Sequence, residues 1–210
     1  MAFGNVPERP AREADLYGKL VLLTGVRLLV GTALLVATAV LTLGSESFGG
    51  GVDTYLYAIV GALYLASLVS VLFLRRRRYL RALAHAHIFA DMVAATGLVY
   101  LTGGVESIFT ILYPLAIVNA AIGLGRRGAV IGAIGASLAF SGLTVGMEMG
   151  FLPPAAAYLL RPPIPSGRLL LNVVLNLSAF LLSGALAAFL AEQLRGARVE
   201  LRERENRLST

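Results

Sequence analysis

Apolar residues in this chain come in blocks of roughly 20, each long enough to cross a hydrocarbon core of ~30 Å as a helix. Six blocks stand out, at about residues 19–43, 54–74, 83–101, 108–124, 129–149 and 169–190. The intervals between them carry turn and charge signals. A Gly- and Ser-rich stretch, 44–53, follows the first block, and Arg75 to Arg78 close the second. Thr102-Gly103-Gly104 turns the third block into the fourth, and Arg126-Arg127 separates the fourth from the fifth. A loop with Pro153, Pro154, Pro162, Pro163 and Pro165 precedes the sixth. The third block is the least apolar, because it holds His85, His87 and Asp91. This pattern predicts an all-α integral membrane protein. Its parts are a polar segment 1–18, a six-transmembrane-helix bundle over 19–191, and a helical extension from 192 to 210.

Past residue 190 apolarity falls but helical periodicity persists. Leu190, Leu194, Ala197, Leu201, Arg204 and Leu208 recur at alternating intervals of four and three, the a/d spacing of a coiled coil. The positions between them are mostly Arg and Glu. Arg204 lies on the seam and Gly196 lowers helix propensity, so the pairing is expected to be weak. The alternative is a basic membrane-proximal helix that is only solvated. Pro is absent after Pro165, so one helix is expected from the sixth span through about Leu208. The pattern is still running at Ser209-Thr210, as it would in a longer protein.

Composition sharpens the membrane reading. Hydrophobic residues make up 57% of the 210 and charged residues 14%, where a soluble domain carries about a quarter charged. The net charge of +6 does not point to nucleic acid, because the Arg residues sit between the apolar blocks, where they act as topology signals. With the N-terminus in the cytoplasm, 15 of the 18 Lys and Arg fall on the cytoplasmic side. Only Arg161 and Arg168 fall outside, and Arg27 lies within a span. Both termini are therefore expected inside. The absence of Cys excludes disulfides and thiol chemistry. The polar N-terminus lacks a small-residue cleavage site, so a removable signal peptide is not expected.

Few side chains carry candidate chemistry. His87 and Asp91 are four apart and share one face of the third helix. A carboxylate near mid-span costs about 2.5–3.5 kcal/mol on insertion scales, so Asp91 should face the bundle interior and find a partner. An internal hydrogen-bonded pair that fixes packing is favoured over a proton- or ligand-sensitive switch. His85 is expected at the interface, and two His on neighbouring turns do not make a metal site. Arg27 is expected to snorkel to the cytoplasmic headgroups, with pairing to Asp91 as the alternative. Glu148 is expected near the outer interface.

Gly128, Gly132, Gly135, Ala139, Gly142, Gly146 and Gly150 place small residues along one stripe of the fifth helix. Such residues let backbones approach closely in lipid, here expected within one subunit, or else at a dimer interface. Asn172 and Asn176 share a face of the sixth helix and are expected to bond to a neighbouring helix. Pro114 is a candidate kink in the fourth. Catalysis is not expected. Ser141-Gly142 is followed by no His, no Walker-type loop is present, and carboxylates do not cluster.

The stretch YLTGGVESIFTILYPLAIVNAAIGLGRRGAVIGA, residues 100–133, resembles the membrane domain of PilS-type sensor histidine kinases. The likeness rests on a Tyr-x-x-Gly-Gly-x-x-Ser turn at Tyr100, Gly103, Gly104 and Ser107, on the Leu- and Tyr-bearing fourth span, and on the basic hinge after it. The opening of the first span, GVRLLVGTALL, and a last span running directly into a charged helix are also similar to that family. The likeness extends over most of residues 17–208. It implies a sensor module in a bacterial inner membrane, acting as a homodimer. It also implies a phosphoacceptor helix and an ATP- and Mg-binding core beyond Thr210, with or without a sensory domain between. A response regulator would be met only through that core, and an inner-membrane protein such as pilin is a possible stimulus by analogy. No cofactor is expected within these residues. The rival class is a small six-helix transporter or membrane scaffold, which would want internal repeats and broken helices around a polar midplane site.

Overall fold

The computed structural model describes residues 8–43, 52–75, 80–153 and 164–208. Most of the 44–53 linker, Arg76 to Arg78, Arg161, and Pro154, Pro162 and Pro163 lie outside the described residues. Among the described residues there are six α-helices: α1 Glu8–Leu43, α2 Val52–Arg75, α3 Leu80–Thr102, α4 Leu112–Leu124, α5 Arg126–Glu148 and α6 Ser166–Leu208. Two single-turn 3-10 helices, Gly104–Glu106 and Ile108–Ile111, join α3 to α4. No strand occurs among the described residues.

Five of the helices are long and apolar enough to cross a membrane. The sixth crossing, Ile108–Leu124, is shorter at 17 residues. Its first turn is 3-10, which rises faster per residue, so the segment still reaches about 27 Å. Pro114 lies where the 3-10 turn passes into α4. It sits in the first turn of α4, a position where helices tolerate Pro. The first helix begins at Glu8, well ahead of the apolar block, so part of the polar N-terminal segment is helical.

The short connections from α3 to α4 and from α4 to α5 reverse the chain and define two ends. At the turn end, Gly103 (φ 133°) and Gly104 (φ 59°) carry the chain from α3 into α4 with backbone angles that a Cβ would oppose. Ser107 then caps the second 3-10 turn by accepting from Phe109 N. At the basic end, Gly125 (φ 66°) reverses the chain between α4 and α5. Its N–H donates to Ala121 O at 2.7 Å.

The main core lies among α3, α4, α5 and α6. Tyr113, Phe140 and Phe180, all fully buried, bring three helices to one point. Their ring centroids lie 5.1–6.0 Å apart in edge-on and tilted contacts, the arrangement aromatic quadrupoles favour. The Tyr113 hydroxyl bonds to Thr96 Oγ1 at 2.9 Å and so ties in α3. A smaller cluster of Leu20, Leu23 and Ala84 closes the basic end against Leu124. Around these cores lies a surface of exposed Leu, Val, Ile and Phe, which only a lipid environment makes stable.

The glycine stripe of α5 divides by function. A Cβ on Gly128 would lie 2.0 Å from Ala120 O, and one on Gly132 would lie 3.2 Å from Ile117 Cα. These two let α5 close on α4. Gly146 packs on Leu152, beyond the helix end. Gly135 and Gly142 meet open space and take no part in the contact within the subunit. A further close approach, absent from the sequence reading, is Gly184 of α6, where a Cβ would come 2.5 Å from Ala133 Cβ.

Candidate functional site

Asp91 lies about 14 Å along its span from Ala82, and Arg27 about 15 Å along its own from Tyr17. Both are therefore near the middle of a ~30 Å core, and both enter it from the basic end. The guanidinium meets the carboxylate there. Arg27 Nη2 lies 2.6 Å from Asp91 Oδ1, and Nε donates to the same oxygen at 2.8 Å. Nη2 also donates to the backbone oxygen of His87 at 2.8 Å. The side chains are 4% and 14% exposed, so the pair is nearly dry. The Asn119 amide of α4 stands beside the pair, close enough to interact with the Asp91 carboxylate. One polar knot thus ties α1, α3 and α4.

This arrangement corrects two expectations. Arg27 does not snorkel, because the headgroups are half a bilayer away while a carboxylate lies at contact distance. His87 does not pair with Asp91 through its side chain; the guanidinium takes the carboxylate, and His87 contributes its backbone oxygen. The His87 imidazole is buried, and its Nε2 has no hydrogen-bond partner. His85, two residues earlier, is exposed. Asn119 was missed in the sequence, although an amide in the middle of an otherwise apolar span was the available signal. A cavity of about 40 Å³ adjoins Arg27, Asp91 and Asn119, with Leu63, Leu98 and Ala95 among its apolar walls. At ~10–15 Å³ each it has room for a few water molecules beside the pair.

The aromatic clasp and the close α5–α6 contact fix the last helix. Its inward face runs Leu169, Val173, Leu177, Phe180, Gly184 and Ala187, large at the turn end and small toward the basic end. Asn176 bonds back to Asn172 O at 2.8 Å, on its own helix. That corrects the expected bond to a neighbouring helix: an amide i+4 from a carbonyl reaches it without any partner helix. Asn172 instead borders a polar cleft at the turn end.

Beyond the bundle, α6 continues unbroken to Leu208. Leu194, Ala197 and Leu201 are exposed there, and the side chain of Leu208 lies outside the described residues. Arg204 pairs with Glu200 at 2.6 Å across one helical turn, an exposed contact worth about 0.3–0.5 kcal/mol.

Against protein-family models, residues 13–200 match the PilS-like transmembrane domain. The chain belongs to that family. Among curated proteins and among solved structures, no match is found. For a PilS-like transmembrane domain, the geometry offers three features of interest: a buried charge pair near mid-membrane, an aromatic clasp on the last helix, and that helix's long extension. None of them is a catalytic arrangement. Among the described residues no group of three or more His, Cys, Asp or Glu is placed to hold a metal.

Proposed function

We propose that this chain is the membrane sensor module of a PilS-like sensor histidine kinase, and that it passes a change in helix packing through α6 to a cytoplasmic kinase core. The observation that carries the reading is the single 43-residue helix α6, Ser166–Leu208. Inside the bundle it is held by Phe180, Gly184 and Ala187, and it then leaves without a break. A rigid element anchored in the membrane and projecting from it is what a transmitted shift or rotation requires. The asymmetry of the basic residues supports a cytoplasmic position for both termini, and the family likeness supports a bacterial inner membrane. The exposed Leu194, Ala197 and Leu201 form a seam for a second copy. A response regulator would be reached through the core, and the stimulus would come from the bilayer or its outer face, from a protein such as pilin among others.

The transporter reading has less support, since Arg27 and Asp91 engage each other rather than a solute. The decisive experiment is on the product of the whole reading frame, reconstituted in membranes. It should phosphorylate itself on His with ATP and Mg, and the rate should change in Phe180→Ala. Single-cysteine crosslinking over 194–208 should peak at 194, 197, 201 and 208. A protein without autophosphorylation, or with uniform crosslinking, would remove the reading.

A further inference from the structure

The seam that α6 exposes below the bundle does not stop at the membrane. Carried back from Leu190, the same alternation of four and three residues lands on Leu186, Ser183, Ala179, Asn176 and Asn172. At about 100° per residue these positions share an arc of about 80° with Leu194, Ala197 and Leu201, so one band of side chains runs along most of α6. The band lies about a quarter turn from the inward face of Phe180, Gly184 and Ala187. The subunit's own core therefore leaves it open: Ala179, Leu186 and Leu190 are exposed, and Asn172, Asn176 and Ser183 are half-buried.

The make-up of this band does not suit lipid. The outermost side of α6 is bulky and apolar, with Leu171, Leu175, Leu182 and Phe189. The band instead sets two amides and a hydroxyl among smaller side chains. Asn176 lies about 15 Å along the helix from Ser166, deep in the hydrocarbon. Its bond to Asn172 O uses one N–H, and its second N–H and its Oδ1 oxygen have no partner among the described residues. The bilayer core offers no water to such groups, so a protein partner is what satisfies them. Ala179 and Ser183, four residues apart on the same band, let a second helix approach closely enough to supply it.

A second copy of this chain is the partner that the chemistry selects. Two copies that share one topology in one bilayer are related by a twofold axis along the membrane normal, so each position of the band meets its own counterpart. An amide carries both donors and an acceptor and is complementary to itself, as a carboxylate or an ammonium group is not. We propose that two copies pack in parallel along this band of α6 inside the membrane, with the Asn176 amides hydrogen-bonded to each other, and that the interface continues into the cytoplasmic seam. The register rests on the seam of the sensor reading, whereas the pairing inside the bilayer needs no kinase core. Each α6 then touches its own core on one face and the partner on the flank, so a turn of the helix against Phe180 alters both contacts together.

The chain has no Cys, so a single introduced cysteine reports contact with its own counterpart alone. In the product of the whole reading frame, in membranes, oxidative crosslinking is walked from 174 to 190. Crosslinks should peak at 176, 179, 183, 186 and 190 and be weak at 175, 182 and 189. Independently, energy transfer between labelled copies of the 210-residue chain, diluted stepwise with lipid, should show Asn176→Leu weakening the pair by about fivefold or more and Leu182→Ala by less than about twofold. Peaks at 175, 182 and 189 would put the partner on the other side of the helix and overturn the proposal. A uniform profile, a chain that stays monomeric at every dilution, or an Asn176→Leu pair as tight as the parent would overturn it too. Missing peaks here, beside clear peaks at 194 and 201 and intact autophosphorylation, would remove the intramembrane pairing and leave the sensor reading standing. Clear peaks here in a protein without autophosphorylation would do the reverse.

Discussion

Removing Asp91 should cost far more than removing Arg27. In Asp91→Leu the guanidinium stays near mid-membrane with only the His87 carbonyl to accept from it. A guanidinium does not lose its proton in proteins, so the charge remains uncompensated. Breaking a buried pair this way typically costs about 3–5 kcal/mol. In Arg27→Met the stranded carboxylate has a way out: it can take up a proton and persist as a neutral acid beside the Asn119 amide. The loss should then fall to about 1–3 kcal/mol, that of an imperfectly satisfied polar group. The double variant Arg27→Met/Asp91→Leu replaces the pair with apolar groups of similar volume and should lie within about 1 kcal/mol of the parent. Equilibrium unfolding in mixed micelles, followed by far-UV circular dichroism, yields all four corners of the cycle. The double variant should be more stable than Asp91→Leu by about 2 kcal/mol or more. Additive losses, with a coupling below about 0.5 kcal/mol, would show that the charges do not depend on each other and refute the buried-pair account.

Four further substitutions test other contacts by the same unfolding measurement. Gly128→Ala should lose about 1–3 kcal/mol through overpacking against Ala120 O, whereas Gly135→Ala, facing open space, should change stability by less than about 0.5 kcal/mol; equal effects would remove the α4–α5 close-contact role. His87→Leu should leave stability unchanged or raise it, since it removes a buried nitrogen that has no partner, and a loss above about 1 kcal/mol would reveal a partner for the ring. Phe180→Ala should cost about 3–5 kcal/mol by emptying the contact between Tyr113 and Phe140; a loss under about 1 kcal/mol would mean that α6 is held elsewhere.

Periodicity made the helices legible because a bilayer leaves little choice: an apolar run of about 20 residues with polar ends must be a helix there. The continuity of α6 was legible for a similar reason, as nothing between Pro165 and Leu208 breaks a helix. Tertiary choices were legible only in part, since pairing of Arg27 with Asp91 stood as the alternative to snorkelling. The spacing of His87 and Asp91 on one helix face suggested a pair, but one face is a local property. The true partner, Arg27, lies 64 residues away in sequence, and its depth in the bilayer decided the matter. Gly128 and Gly135 look alike in the same stripe, yet only the packing of α4 distinguishes the crowded one from the open one. The aromatic clasp was equally hidden, because Tyr113, Phe140 and Phe180 come from three helices with no spacing rule to connect them.

Were α6 to pivot at Phe180, near the middle of its packed face, it would act as an unequal-armed lever. From this fulcrum the arm toward Ser166 is 14 residues, about 21 Å, and the arm toward Leu208 is 28 residues, about 42 Å. If the helix moves as a rod, a displacement of about 1 Å at the turn end becomes about 2 Å, in the opposite direction, at the far tip. Mechanical advantage of this kind exchanges force for travel. A small rearrangement at the turn end of such a rod would therefore arrive enlarged at the charged end, and stiffness between Phe180 and Leu208 would decide how much of it survives.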